Sequence, residues 1–186
     1  HLWSNCAGSA MSVPAGDRLE HEEPSEAAQE GIAASWVADS VLRGSAASAA
    51  EFEGEQAPNG WPVDHTMIRH VQGYVDTVRK AGSVLSETEL SLWKGLVKGR
   101  VDTHAADSPS GTLRVWDFKY GFRIHEPENN PQLLLPAIAL LRPHHTLVCM
   151  AIYQPRPYHP AGIYRKWTIS VAELHDHATR LYQAAI

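Results

Sequence analysis

The chain has 186 residues, 44% of them hydrophobic, a formal charge of −5 and two cysteines. That length and composition suit one domain with a substantial core and are ordinary for a soluble globular protein. No run of eighteen apolar residues occurs, so no membrane anchor is expected, and two distant thiols exclude a four-cysteine zinc site or an iron–sulfur cluster. Charge is uneven: residues 1–60 hold ten Asp/Glu against two Lys/Arg, and residues 61–186 hold eleven against fourteen. No basic segment followed by an apolar stretch opens the sequence, and a cytoplasmic setting is expected.

Residues 1–24 are rich in Gly, Ser, Pro and acidic groups and read as an irregular lead-in. Ser25 to Leu42 predicts a helix with Ser25 as N-cap and Gly44 as stop. Residues 44–62 read as a mobile, low-complexity loop. A second helix is predicted over 63–81, its stripe of Met67, Ile68, Val71, Tyr74, Val75 and Val78 having helical spacing. The period then changes, and Val84 to Trp93, Val97 to Ala105 and Leu113 to Tyr120 predict a three-stranded meander. Asp107-Ser-Pro-Ser-Gly111 supplies turn chemistry between the last two. A helix from Pro131 to Leu141 follows, with Asn130 as N-cap and an expected interruption at Pro136. Strands at 146–154 and 163–169 precede a last helix that opens on the capping box Ser170-Val-Ala-Glu173. The fold class is α/β (α+β): a central mixed sheet with an antiparallel meander, flanked by helices.

The meander carries the chemistry. Side chains two apart on a strand share a face, so Asp117 and Lys119 project together, and antiparallel pairing brings Asp102 beside Asp117. Adjacent carboxylates repel unless a cation lies between them, and Mg²⁺ or Mn²⁺ prefers oxygen ligands. The Lys119 ammonium would stabilise an attacking hydroxide or the charge developing on a phosphate. In isolation, Asp-x-Lys on a strand is also the pattern of a surface ion pair.

Other residues carry weaker readings. Lys94, Lys98, Arg100, Arg114 and Arg123 gather around the meander, where they would track a nucleic-acid backbone. Arg79-Lys80 suits a helix end equally well. His104 is expected on the face of Asp102, either near the scissile phosphate or, the favoured reading, as an edge or surface histidine, while His144-His145 and His175-x-His177 read as surface features. Cys6 and Cys149 read as core thiols. Trp36, Trp93 and Trp116 are core candidates, and Trp61 is the tryptophan exposed enough to consider for base stacking.

Several ordered motifs together resemble the RecB-like branch of the PD-(D/E)XK nuclease superfamily, and its phage-type exonuclease domains in particular. They are Trp3-Ser-Asn-Cys6-Ala-Gly-Ser9, Ser25-Glu-Ala-Ala-Gln-Glu30-Gly31, Glu87, Gly99-Arg-Val-Asp102, Asp117-Phe-Lys119-Tyr-Gly121, Asn129-Asn-Pro-Gln132-Leu and Gln154-Pro-Arg156. The resemblance implies a restriction-endonuclease-like fold and Mg²⁺- or Mn²⁺-dependent hydrolysis of DNA, with linear ends processed in phage recombination or replication inside a bacterial host. It implies metal binding by Asp102, Asp117 and the backbone carbonyl of Phe118, with Lys119 positioning or deprotonating water and Gln132 contacting the substrate or the Lys119 region. A homo-oligomer and a recombination or single-strand-binding partner protein are compatible with it.

Two departures stand out. The first-helix histidine expected as a further ligand is Ser35, with Asp39 one turn on as an alternative carboxylate. Pro136 stands where the family's tyrosine would be. These departures leave a second expectation, a nuclease-like module that binds DNA or protein with impaired catalysis.

Overall fold

The computed structural model describes residues 25–105 and 110–185. The lead-in at 1–24, with the Trp3–Ser9 motif and Cys6, lies outside the described residues, as does most of the turn after Ala105. Four helices, α1 (Glu26–Leu42), α2 (His65–Arg79), α3 (Pro131–Leu140) and α4 (Val171–Ala185), flank five strands: β1 (Leu85–Leu92), β2 (Val97–Ala105), β3 (Thr112–Phe118), β4 (Leu147–Tyr153) and β5 (Tyr164–Ser170). The sheet order is β1-β2-β3-β4-β5, antiparallel except for the parallel β3–β4 pair that α3 connects. The mixed sheet, its meander and its flanking helices are those expected from the sequence.

The helix ends follow local chemistry. Ser25 Oγ accepts the Ala28 N–H at 3.4 Å, Asp64 Oδ1 accepts the Met67 N–H at 2.7 Å, and Ser170 with Glu173 forms the reciprocal capping box. Gly44 adopts φ +79° just past the end of α1, a conformation that strains any residue with a Cβ. Arg79 reaches back from α2 and donates to the Val41 carbonyl at 2.8 Å, satisfying a terminal group of α1.

Two apolar layers enclose the sheet. The predicted stripe of α2 is buried together with Ala33, Ala34, Val37 and Val41 of α1, against Trp116, Phe118, Ala151 and Tyr153. On the other face, Leu133, Leu134 and Ala137 of α3 and Leu174 of α4 pack on Leu113, Val115, Val148, Met150 and Ile152. β3 and β4 are therefore covered on both sides, which explains the continuous apolar run Val148 to Tyr153.

Four expectations are amended. Residues 44–62, expected as a mobile loop, carry defined structure: a 3₁₀ turn at Ala49–Phe52 and a bridge between Gln56 and Pro62. Ala46, Ala49 and Ala57 are buried there, because side chains this small let the backbone lie close to the helices, and Asn59 binds the Gln29 carbonyl at 2.7 Å. Trp61, expected to be exposed, packs half-buried on this layer. Pro136 does not interrupt α3; the helix runs through it to Leu140, with the proline ring buried. His145 is buried rather than a surface group, its Nδ1 accepting the Arg142 N–H at 3.0 Å.

Candidate active site

Strand β2 breaks its own alternation at Asp102. Val101 packs into the α3 layer, yet Thr103 receives the Tyr74 hydroxyl at 2.7 Å and Ala105 joins the α1/α2 layer. Opposite the break stands Glu87 at φ +48°, between the paired residues Ser86↔Thr103 and Thr88↔Val101. A non-glycine residue in this region is uncommon and is held there by its surroundings. The break turns Asp102 toward α1, into a cleft shared with Ser35, Asp39, Tyr74, Glu87 and Phe118.

The same break moves His104 away. Its partner across the sheet is Val115 of the α3 layer, and its Nε2 lies 3.2 Å from Thr88 Oγ1. It does not share the face of Asp102, because strict two-residue alternation fails between them.

Asp102 ends the β2–β3 ladder. Backbone pairing covers Thr103↔Trp116 to Ala105↔Arg114, and beyond it the Asp102 carboxylate accepts the Phe118 N–H at 2.9 Å. The ring of Phe118 stacks on Tyr74 with centroids 4.7 Å apart, while the Lys119 N–H donates to the Tyr153 carbonyl at 3.0 Å. Phe118 is thus fixed from both sides, by its N–H on Asp102 and by its ring on Tyr74.

Asp117 and Lys119 do project together, with Lys119 Nζ 3.0 Å from Asp117 Oδ1. The other oxygen, Asp117 Oδ2, is buried without a hydrogen-bond partner. A buried unpaired carboxylate oxygen is costly, and a cation would relieve it. Burial, together with the charge of Asp117, pushes the Asp102 carboxyl up to about 7, against the opposing pull of Lys119 and the Phe118 N–H. Burial alone would discharge Lys119, but the Asp117 and Asp102 carboxylates outweigh it and hold its pKa above the ordinary lysine value. The direction favours the charged form of Lys119 beside the two carboxylates.

Among the described residues, no three His, Cys, Asp or Glu side chains gather closely enough to hold a metal ion. Asp102, Asp117 and the Phe118 carbonyl, the ligands the resemblance implies, would supply oxygens of the kind Mg²⁺ or Mn²⁺ prefers, with water completing the shell. Ser35 lines the cleft as the resemblance places it. Asp39 lines it too, but its Oδ1 is occupied by Arg43 at 2.7 Å and Ser86 at 2.6 Å. Glu87 is paired with Arg100 at 2.6 Å, so Arg100 also has a partner in the protein. Lys94, Lys98 and Arg123 are exposed, and Gln132 sits half-buried in the first turn of α3, its N–H capped by Asn130.

The sequence reading quoted Gln154 within a motif but gave it no supporting role, and it missed Arg165. Gln154, fully buried, accepts from the His125 N–H and from Arg165, and donates to the carbonyls of Gly121 and Arg123. Arg165, 5% exposed, adds bonds to the carbonyls of Gly162 and His125. Together they pin the loop that follows Lys119. The one available signal was the polar pair itself, a glutamine ending an apolar strand and an arginine beginning another.

The chain belongs to the family described as a protein of unknown function (DUF2800), whose model matches residues 1–185. Among solved structures it is similar to an alkaline exonuclease from Laribacter hongkongensis, at 14% identity over 84% of this chain and 88% of that one, with a TM-score of 0.36. It is also similar to SSO0001, at 12% identity over 89% of this chain and 79% of that one, with a TM-score of 0.34.

Proposed function

We propose that this chain is a metal-dependent DNA exonuclease of restriction-endonuclease-like fold, hydrolysing phosphodiester bonds at linear ends in phage recombination or replication. The supporting observation is the buried, unpartnered Asp117 Oδ2 beside Asp102 and a charged Lys119. Asp102, Asp117 and the Phe118 carbonyl would hold Mg²⁺ or Mn²⁺, which supplies Lewis acidity toward a phosphate and lowers the pKa of water. Lys119, held as a cation at 3.0 Å from Asp117, would orient the incoming water and offset the charge gained by the phosphate oxygens. Lys94, Lys98 and Arg123 would follow the DNA backbone, and Gln132 the strand end.

Digestion of end-labelled linear DNA with Mg²⁺ or Mn²⁺ tests the proposal. Cleavage is expected in the parent and abolished in Asp117→Ala and Lys119→Ala; cleavage that persists in both refutes it.

One observation favours a second reading, a nuclease-like module with impaired catalysis that binds DNA or protein. Ser35 stands in the cleft where a histidine would, and the Asp39 carboxylate that would replace it is tied to Arg43 and Ser86. Ser35→His separates the two readings: a large gain in cleavage or Mn²⁺ affinity supports the impaired site, and no gain supports the active one.

A further inference from the structure

Phe122 is a large aromatic residue, 62% exposed, three positions after Lys119. Exposed single aromatics are common on mobile loops, but this loop is held in place. Gln154 binds the carbonyls of Gly121 and Arg123 at 3.0 and 2.7 Å, while Arg165 binds the His125 carbonyl at 2.7 Å. The Arg156 guanidinium lies 4.1 Å from the centre of the Phe122 ring and 4.9 Å from that of Tyr120. Arg156 is itself anchored to the carboxylate of Glu30 on α1. The ring is therefore fixed in advance, backed by a cation and open to solvent, and the exposed Arg123 follows it directly.

Resting on the nuclease reading above, we propose that Phe122, backed by Arg156 and flanked by Arg123, is a stacking platform for an unpaired nucleobase next to the scissile position. The preferred substrate is then a DNA end with unpaired nucleotides or a single strand. A nucleobase has a π-face that duplex stacking hides and an unpaired strand presents, and the strand's backbone carries the phosphate that Arg123 attracts. Holding the ring beforehand lowers the entropy lost on binding. An aliphatic contact would supply area without the stacking geometry.

The test uses the full chain in EDTA, so that binding is read without cleavage, with a fluorescent oligothymidine, a blunt duplex, and a strand carrying 2-aminopurine. Phe122→Ala should weaken oligothymidine binding roughly five- to a hundred-fold, the range of one base–aromatic stack. Phe122→Leu should be as weak despite filling similar space, Phe122→Trp should keep parental affinity, and blunt-duplex affinity should hardly change. The parent should quench 2-aminopurine and Phe122→Ala should not. If Phe122→Ala and Phe122→Leu bind oligothymidine as the parent does, the platform is overturned while cleavage in Mn²⁺ leaves the nuclease reading standing. Equal losses on duplex and single strand also overturn it. A parent that neither binds nor cleaves any of the three DNAs overturns both proposals.

Discussion

Asp102 should make the metal-free protein less stable as pH rises, and Asp102→Asn should remove that dependence. Its carboxyl titrates near 3.8 when unperturbed and about 7 in the folded chain. A folded value above the unfolded one means that the folded state binds more protons between those limits. Stability is therefore full below about pH 4 and falls until about pH 7, where the loss levels off. The gap corresponds to about 4 kcal/mol. Asp102 is only partly buried and its charge is coupled to those of Asp117 and Lys119, so roughly half of it, ~2 kcal/mol, is the expected effect. In a chain of this size that is roughly 4–8 °C in Tm. Asparagine keeps an oxygen for the Phe118 N–H and removes the charge. Thermal unfolding in EDTA should show Asp102→Asn more stable than the parent at about pH 8 and nearly equal to it at about pH 4. Added Mn²⁺ should raise the parent's Tm at the higher pH and leave the variant's unchanged. Parallel pH profiles for parent and variant, or a variant less stable at high pH, would refute the reasoning.

Further expectations concern packing and support. A Cβ at Gly73 would lie 2.4 Å from the Tyr153 hydroxyl oxygen, so Gly73→Ala should lower the unfolding free energy in urea by about 1–3 kcal/mol, and Tyr153→Phe in the same chain should restore most of it. Gln154→Leu removes one of the partners of Arg165 and the amide donor to the carbonyls of Gly121 and Arg123, with an expected cost of about 2–4 kcal/mol in urea unfolding; a cost under ~1 kcal/mol would show that the loop holds without it. Tyr74→Phe and Thr103→Val each break the buried 2.7 Å hydrogen bond, so a double-mutant cycle should show the pair losing less than the sum, with coupling of about 1 kcal/mol.

Much of the fold was legible because local rules agree with the tertiary arrangement. The α2 stripe reads at 3.6-residue spacing and is buried as read, and Ser25, Asn130 and Ser170 cap where their hydroxyl or amide chemistry places them. The Asp117–Lys119 pair followed from the period of two along β3. The same rule failed for His104, because the strained Glu87 and the turn of β2 at Asp102 arise between strands and leave no local mark.

The 44–62 segment shows the same boundary from the other side. Its Ala, Ser and Gly content reads as mobile, yet small side chains are also what close packing on two helices requires, and only the neighbours decide between the two. By itself, then, the sequence determined the helices, the meander, and an acidic pair with its lysine, since each depends on residues a few positions apart. The tertiary structure alone decided which oxygen of Asp117 is left without a partner, that Asp39 is occupied by Arg43 and Ser86, and that Gln154 and Arg165 hold the loop after Lys119. Those facts depend on burial and on contacts between residues far apart in the chain, and no local periodicity encodes them.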